Sequence, residues 1–226
     1  MLSEPISVHI DESGHSCRVC RTAPLRPFAR ITGWHYYRCD RCLATFLDSA
    51  HWLTADQEYA HYLNHNNSIT DTAYRRFLAK LAEPLLSRLA AGSDGLDYGC
   101  GPGPALAQML SEAGHRLHIY DPFFAPDQAV LAQSYDFITC TEVIEHFQQP
   151  AQEFARLAQM LRPGGWLAIM TCWQQDDAHF ASWYYRLDPT HVVFYQEATL
   201  RYLAQVFGWT CEFLTKDVVL LQKPLS

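Results

Sequence analysis

The sequence predicts an α/β fold in which a mostly parallel sheet carries helices on its faces and follows a small cysteine-containing module. From Leu96 onward, short apolar segments alternate with segments of helical periodicity, which is the pattern of a parallel sheet. Before this region, four cysteines stand in two CxxC pairs, a spacing typical of a small metal-stabilised module. The chain has 226 residues, 49% of them hydrophobic, so it can bury a core and is too apolar to be disordered.

The region between the cysteine module and the predicted sheet is predicted to be helical. Thr54 and Gln57 are three residues apart and form a capping-box signature at the start of a helix. Apolar residues recur at helical spacing over 68–89, where Pro84 would kink or divide the helix. The turn between these helices would either close over a bound ligand or be a hydrated connection; it contains Tyr62, His65, Asn66 and Asn67.

The predicted sheet begins after the glycine-rich break at 92–95. Its strands are predicted at 96–98, 116–120, 135–140, 166–172, 209–214 and 218–222. Its helices are predicted at 104–113, 150–161 and 196–207, the last ended by Gly208. The chain therefore divides into a zinc-ribbon-like module (1–50), a helical cap or linker (51–92) and a ligand-binding sheet domain (93–226).

The eight cysteines fall into two groups. The paired group contains Cys17, Cys20, Cys39 and Cys42. In a reducing compartment this spacing favours a metal over disulfides, and four thiolates can close a tetrahedron around Zn²⁺ with no open position for catalysis. A metal-free remnant of such a module is the alternative, and redox catalysis is disfavoured because no βαβ pattern surrounds either pair. The other four cysteines stand in apolar segments and are predicted to be core residues.

Charge and targeting features predict a cytoplasmic protein. The net charge of −7 disfavours a protein whose main role is to bind the phosphate backbone of nucleic acids, since that binding needs a basic face. Residues 1–14 lack an apolar leader, and the longest apolar run, at 164–173, has about half of the roughly 20 residues that a membrane span needs. We therefore expect no membrane partner and no main role in nucleic-acid binding.

A glycine-rich turn after the first predicted strand is the strongest sign of a ligand site. The segment 96–103 fits D-x-G-x-G-x-G, with Asp97, Gly99, Gly101 and Gly103 at the fixed positions. A strand that runs into such a turn and then a helix brings bare backbone to a ligand at the sheet edge. Asp121 ends the next strand, where an acidic residue can accept hydrogen bonds from ribose hydroxyls. A tight turn followed by a capping aspartate is the alternative, and the missing GxGxxG spacing disfavours a nicotinamide-dependent oxidoreductase.

From Leu96 onward the chain resembles the class I S-adenosylmethionine-dependent methyltransferases, in the group that includes the ubiquinone-pathway O-methyltransferases. The matching blocks are LDYGCGPG at 96–103, IYDP at 119–122, YDFITCTEVIEHF at 135–147 and LRPGGWLAI at 161–169. The resemblance implies a Rossmann-like sheet of seven strands with a reversed last strand. Only 13 residues separate Asp121 from Tyr135, so the third strand should be short or missing.

The resemblance also implies roles for individual residues. It places Gly99, Gly101 and Gly103 against the methionine part of S-adenosylmethionine and Asp121 on its ribose. Thr141 and Glu142 fall on the loop after the fourth strand, which lines the cofactor in such enzymes.

A second group of polar residues follows the same strand. Glu142, Glu145 and His146 stand at i, i+3 and i+4, so they would share a face if a helix began near Glu142. His191 follows an aromatic stretch at 183–185 that would form a substrate wall. Two carboxylates and two imidazoles suit Mg²⁺, Mn²⁺ or Fe²⁺. The pattern also resembles the metal-binding residues of the ubiquinone-pathway enzymes and of small-RNA 2'-O-methyltransferases, although related enzymes without a metal carry the histidine as a packing or capping residue.

Without a metal, the site needs a base and an aligned acceptor. An imidazole has an ordinary pKa near 6.5, which suits a base at neutral pH. We favour His191 over His146 because His191 comes from the loop that is expected to face the acceptor. His179, Trp183 and Tyr195 are secondary candidates.

Two functions remain open from the sequence. The first is methyl transfer from S-adenosylmethionine to an oxygen or nitrogen of a small molecule. The alternative is an RNA- or protein-directed methyltransferase or a binding module, in which the N-terminal module recognises the substrate. Interleaved arginines and aromatics give this alternative its basis; they are Arg18, Arg21, Arg26, Arg30, Arg38 and Arg41 with Trp34, Tyr36 and Tyr37.

Overall fold

The structure is a computed structural model that describes residues 16–64 and 68–225. Five helices and two sheets lie within these ranges. The helices are α1 (Ala55–Tyr62), α2 (Thr72–Leu86), α3 (Ala105–Glu112), α4 (Pro150–Met160) and α5 (Glu197–Phe207). The strands of the N-terminal sheet are β1 (Leu25–Ile31), β2 (Trp34–Cys39), β3 (Thr45–Leu47) and β8 (Val193–Phe194). Those of the main sheet are β4 (Asp94–Tyr98), β5 (Arg116–Tyr120), β6 (Tyr135–Thr141), β7 (Leu161–Met170), β9 (Thr210–Phe213) and β10 (Val218–Gln222).

The main sheet confirms the predicted fold class. Its strand order is β5-β4-β6-β7-β10-β9; β5, β4, β6 and β7 are parallel, and β10 runs antiparallel to β7. The last strand of the chain is thus the reversed one, as the family resemblance implies. Within the described ranges, residues 122–134 contain only a short 3₁₀ helix, Gln128–Ala132, and no strand. The third strand is therefore missing, because the short connection has no room for a helix and a strand.

Helices cover both faces of the main sheet, and each buries an apolar stripe. On one face, α2 and α3 pack Leu81, Leu85 and Leu110 against the sheet residue Phe137. On the other face, α4 and α5 bury the residues of their own stripes, Phe154, Leu157, Leu200 and Leu203. Pro84 lies inside the last turn of α2, so it does not divide the predicted helix.

The N-terminal sheet shares a strand with the C-terminal half of the chain. Its order is β1-β2-β3-β8, with all pairs antiparallel. Thr45 and Phe46 of β3 pair with Phe194 and Val193 of β8. The division at residues 50 and 92 stays a prediction, and the described contacts join the first segment to the third through this strand pair.

No helix among the described residues combines the length and the apolarity that crossing a bilayer requires.

Candidate functional site

A cleft of about 960 Å³ opens at the carboxyl ends of β4, β5 and β6. Its floor is the turn after each of these strands, and α1 lies along its rim. Carboxyl ends of parallel strands are where open α/β sheets bind ligands. The cleft has two sides: the glycine loop (99–103) with Asp121, and the two histidines His146 and His191. These histidines and the buried Glu145 behind them form a group that we call the Glu-His cluster.

The glycine loop is built from backbone interactions. Gly99 and Gly101 have φ angles of +82° and +64°, a region that side chains disfavour. A Cβ on Gly99 would lie 2.4 Å from a methyl of Val143, so even alanine does not fit there. The Gly99 N–H donates to the Tyr120 carbonyl at 2.7 Å, which ties the loop to β5. Gly103 does not line the cleft; its carbonyl accepts a hydrogen bond from the Ala105 N–H at the start of α3.

Asp121 holds the loop as well as facing the cleft. Its Oδ2 accepts from the Gly101 N–H at 3.0 Å, and its Oδ1 accepts from the N–H groups of Phe123 and Phe124 at 2.8 and 3.1 Å. A carboxylate has about four acceptor positions, so one of them stays available to a ligand hydroxyl.

Asp97 lies beneath the glycine loop and does not line the cleft. It is 4% exposed and accepts a hydrogen bond from the Thr139 hydroxyl at 2.7 Å. Burial raises the pKa of Asp97 to about 6. Asp97 therefore supports the loop from behind, and direct contact with a ligand is not its role in this geometry.

The turn after β6 does not begin a helix at Glu142. Glu142 has a φ of +54°, and its N–H donates to the Met170 carbonyl at 2.7 Å, so it extends the sheet edge. Only Ile144–His146 forms a helical turn, and it is a 3₁₀ turn. Glu142 is therefore not grouped with the other three candidate metal ligands, and the Glu-His cluster contains only those three among the described residues. The condition for a shared face, a helix that begins near Glu142, is not met, because the left-handed residue ends the strand before the turn starts.

Thr141 and Glu142 both line the cleft. The Thr141 hydroxyl is buried and has no partner among the described residues. Burial, together with the nearby charge of Glu145, raises the pKa of Glu142 to about 9. This side of the cleft therefore offers a free hydroxyl and a carboxyl that is neutral at pH 7.

The Glu-His cluster brings three metal-ligating groups together. One ligand atom from each of Glu145, His146 and His191 lies within 4.8 Å of the other two. The Nε2 atoms of His146 and His191 lie 3.9 and 4.0 Å from Glu145 Oε1. The side chains of His146 and His191 are 20% and 7% exposed, and that of Glu145 is fully buried.

The hydrogen bonds assign the same tautomer to both histidines. His191 Nδ1 lies 2.7 Å from the Tyr185 carbonyl, and His146 Nδ1 lies 3.1 Å from the Thr190 carbonyl. A carbonyl oxygen only accepts, so each Nδ1 carries the proton and each Nε2 keeps a lone pair. Burial also lowers the pKa of His191 to about 4, which keeps this ring neutral. Anchoring of Nδ1 by a carbonyl is the arrangement that orients metal-binding histidines.

Two residues that sequence reasoning missed hold Glu145. The Tyr185 hydroxyl donates to Glu145 Oε1 at 2.5 Å, and the Thr171 hydroxyl donates to Oε2 at 3.0 Å. Burial and the nearby carboxylates raise the pKa of Tyr185, so its hydroxyl remains a donor. Thr171 follows an apolar strand and gives no signal of its own, whereas Tyr185 belongs to the predicted aromatic wall.

The helix α1 closes part of the cleft from above. Tyr59 and Tyr62 pack against Phe123, with ring centroids 5.9 and 5.7 Å apart. The Tyr62 hydroxyl lies 3.2 Å from His146 Nδ1, so α1 contacts both sides of the cleft. The predicted polar turn extends beyond Tyr62, and His65, Asn66 and Asn67 lie outside the described residues.

The secondary candidates lie away from the cleft. His179 is on the surface, its side chain 80% exposed and paired with Asp176. Trp183 packs against Tyr185 in the aromatic wall. Tyr195 is buried, and its hydroxyl donates to the Ile144 carbonyl at 2.9 Å.

The four paired cysteines meet in the core; we call Cys17, Cys20, Cys39 and Cys42 the four-cysteine site. All four are buried, and their sulfur atoms lie within 4.8 Å of one another. The N–H groups of Val19 and Cys20 point at the Cys17 sulfur, at 3.4 and 3.3 Å. Arg41 and Cys42 repeat this arrangement at the Cys39 sulfur. These donors stabilise thiolates, and the geometry suits a tetrahedral metal.

The cleft has an acidic lining. Among the described residues that line it, Arg156 is the only lysine or arginine, and it pairs with Glu153. Besides Glu142, whose raised pKa keeps it neutral, the carboxyl groups on the lining belong to Glu58, Asp121, Glu153 and Asp188. This charge favours a neutral or cationic ligand over an anionic one.

The comparisons with known proteins agree with this geometry. A family described as "Methyltransferase domain" matches residues 63–213. The ubiquinone biosynthesis O-methyltransferases of Thiobacillus denitrificans and Aromatoleum aromaticum are both 32% identical to the chain in matches that cover 36% of it. The matches span 45% and 44% of these relatives, so the chain spans less than half the length of the curated relatives it matches.

A solved structure shows a similar fold. A chain of the complex between the Haloferax volcanii Trm112 methyltransferase activator and a methyltransferase is 13% identical, with a TM-score of 0.50 over 76% of this chain and 100% of that one. The Burkholderia thailandensis 1,6-didemethyltoxoflavin-N1-methyltransferase is 17% identical, with a TM-score of 0.49 over 88% of this chain and 99% of that one.

Proposed function

Because the chain belongs to the methyltransferase-domain family, we propose that it transfers the methyl group of S-adenosylmethionine to a hydroxyl or amine of a small molecule. The main observation behind the proposal is that one cleft contains both a candidate cofactor site and a candidate acceptor site. The glycine loop and Asp121 form one side, and the two histidines of the Glu-His cluster line the other.

The cleft residues fit the cofactor. S-adenosylmethionine is cationic at its sulfonium and its ammonium, and the cleft lining is acidic. The buried Thr141 hydroxyl has no partner among the described residues, and Asp121 retains one acceptor position for a ribose hydroxyl. When bound, the cofactor supplies a methyl group on a positively charged sulfur. Gly99, Gly101, Asp121, Thr141 and Glu142 would hold it.

The Glu-His cluster would act on the acceptor. His146 and His191 line the cleft and keep their Nε2 lone pairs, so either can accept the proton that an acceptor hydroxyl or amine loses. His146 is the more exposed ring, and we assign the proton to it. His191, whose pKa is lowered to about 4 by burial, holds a proton weakly and orients the acceptor. The proposed base is therefore His146, whereas the sequence favours His191.

The acidic cleft and the placement of the arginines support a small acceptor over a nucleic acid. Arg38 is 3% exposed and bonded to Asp177, Arg18 packs on Phe46, and Arg26 pairs with Asp40. Arg41 donates to the Thr22 hydroxyl at 2.8 Å, so four of the six arginines in the N-terminal module are engaged within the protein. A methyltransferase that acts on RNA or protein remains the alternative, and methylation of bulk RNA by the purified protein would establish it.

We also propose a structural Zn²⁺ at the four-cysteine site and Mg²⁺, Mn²⁺ or Fe²⁺ as an occupant of the Glu-His cluster. Two Nε2 lone pairs and a carboxylate that face one another favour a cation between them. Calorimetric titration of Mn²⁺ tests the second metal, and we expect binding that His191→Gln abolishes. Equal Mn²⁺ binding to the wild-type protein and to His191→Gln would refute the proposed second metal, and the histidines would then act as bases.

Calorimetry with S-adenosylhomocysteine tests the cofactor site. We expect micromolar binding to the wild-type protein and about a hundredfold weaker binding to Gly99→Ala, because the new Cβ meets Val143 and adopts a disfavoured φ. Gly114→Ala is the matched control: its φ is +93°, but nothing lies within 4 Å of the new atom. Absence of heat with the wild-type protein would overturn the proposed function.

A further inference from the structure

The residue Tyr195 connects the four-cysteine site to the turn that carries the Glu-His cluster. Its ring is 1% exposed and belongs to the same buried cluster as the four cysteines. Its hydroxyl donates to the Ile144 carbonyl at 2.9 Å, and Ile144 begins the 3₁₀ turn that contains Glu145 and His146. Because the buried Tyr195 hydroxyl is bonded to this carbonyl, it fixes the position of the turn relative to the core.

A second route joins the same two regions through the backbone. The strand β3 follows directly after the second CxxC pair and hydrogen-bonds to β8. At the end of β3, the Leu47 N–H donates to the Val192 carbonyl at 3.0 Å, and the Val192 N–H donates to the Glu145 carbonyl at 3.0 Å. His191 directly precedes Val192, and Val192 bonds to Glu145. The two backbone hydrogen bonds of Val192 therefore help to position both His191 and Glu145 of the Glu-His cluster.

The glycine loop is held by a different set of contacts. Gly99 and Cys100 donate to the Tyr120 carbonyl, and Gly101 donates to Asp121, so the loop depends on β5. A structural change at the four-cysteine site would therefore disturb the Glu-His cluster more than the glycine loop.

We propose that Tyr195 is a positioning residue that, together with β8, holds the Glu-His cluster in the geometry set by the metal-bound four-cysteine site. Loss of the metal by chelation then disorders the acceptor side of the cleft and leaves the cofactor side formed. The inference rests on the proposed zinc site and the proposed methyl transfer, and it makes the N-terminal module part of the acceptor site.

Hydrogen exchange and histidine NMR on the full chain test this proposal. In Tyr195→Phe the ring stays and only the bond to Ile144 is lost. We expect amide exchange at His146 and Phe147 to become about tenfold faster, the factor that loss of one buried hydrogen bond produces. We also expect the ring-nitrogen signals of His146 and His191 to lose the fixed Nδ1–H tautomer, a change that destabilisation elsewhere would not cause. Zinc content and S-adenosylhomocysteine affinity should stay within twofold of the wild-type values.

Tyr135→Phe is the matched control. Tyr135 is also 1% exposed, and its hydroxyl also donates to a backbone carbonyl, that of Val130, at 2.7 Å. We expect this variant to leave His146 and Phe147 unchanged. Chelation of zinc from the wild-type protein should reproduce the effect of Tyr195→Phe and spare the amides of the glycine loop.

The outcomes separate this proposal from the two on which it rests. Unchanged exchange and tautomers in Tyr195→Phe would overturn it, and so would equal loosening of the glycine loop. Protein without zinc would refute the metal-dependent part alone, and absence of S-adenosylhomocysteine binding would refute the proposed function alone. In both cases the comparison of Tyr195→Phe with Tyr135→Phe still decides the positioning role.

Discussion

The two sides of the cleft are held in place by different kinds of interaction. The glycine loop is fixed by backbone N–H groups that bond to the Tyr120 carbonyl and to Asp121. The Glu-His cluster is fixed by side-chain hydroxyls, by carbonyls of a distant loop and by the N-terminal sheet. The first side is formed by the ends of two neighbouring strands, β4 and β5. The second is assembled from separate segments, so a change far from the cleft can disturb it.

The largest expected effect comes from removing one ligand of the four-cysteine site. Cys42→Ser should abolish stoichiometric zinc binding and lower the free energy of unfolding by on the order of 5 kcal/mol, because a structural zinc contributes its binding energy to folding. For a chain of this size, that loss lowers the melting temperature by about 10 °C or more. The measurement is zinc analysis together with thermal unfolding.

The matched control for this prediction is Cys211→Ser. Cys211 is a half-buried cysteine on β9 and is not part of the four-cysteine site. This variant should keep its zinc and melt within a few degrees of the wild-type protein. Equal melting temperatures for Cys42→Ser and the wild type would show that the N-terminal sheet is stable without the metal.

The second prediction concerns pH on the cofactor side. Burial raises the pKa of Asp97 from 3.8 to about 6, so the folded protein binds this proton more tightly than the unfolded chain. The contribution of Asp97 to stability therefore falls as pH rises from about 4 to about 6 and is constant above that range. A shift of this size corresponds to about 3 kcal/mol. The stability of Asp97→Asn relative to the wild type should increase by up to this amount between pH 4 and pH 7.

Chemical denaturation of both proteins at several pH values measures the change. Asp127→Asn is the control, because Asp127 is an exposed cap of the 3₁₀ helix Gln128–Ala132 and its carboxylate is not buried. A difference between Asp97→Asn and the wild type that stays constant over this range would show that Asp97 is not a buried, weakly acidic group.

The same contrast explains how much of the site the sequence could predict. The glycine loop and Asp121 are contiguous motifs at the ends of two strands, and their placement follows from local pattern alone. The convergence of His191 with Glu145 was suggested by the residue types and by a family resemblance. Glu142 was misplaced because a left-handed backbone at the end of β6 gives no sequence signal for a non-glycine residue. The pairing of β3 with β8 depends on tertiary packing between distant segments, which the pattern of either segment does not show.

The smallest expected effect tests the side-chain support of the acceptor side. Tyr185→Phe removes the hydroxyl that donates to Glu145 at 2.5 Å, and among the described residues the fully buried carboxylate then keeps only the Thr171 donor. The cost of leaving a buried charged acceptor short of one partner is about 1 to 3 kcal/mol, and we expect a value near 2 kcal/mol by denaturation. S-adenosylhomocysteine affinity should stay within twofold, because the glycine loop does not use this hydroxyl.

Tyr184→Phe controls for the chemistry of the Tyr185 substitution. Tyr184 is the preceding residue and is 70% exposed, and within the described part of the chain its hydroxyl makes only a long contact with the Cys172 sulfur at 3.9 Å. We expect it to change the free energy of unfolding by less than about 0.5 kcal/mol, as surface substitutions do. A large loss of cofactor affinity in Tyr185→Phe would mean that the two sides of the cleft share their support. The distinction between a backbone-held side and a side-chain-held side would then fail, since one hydroxyl would govern both.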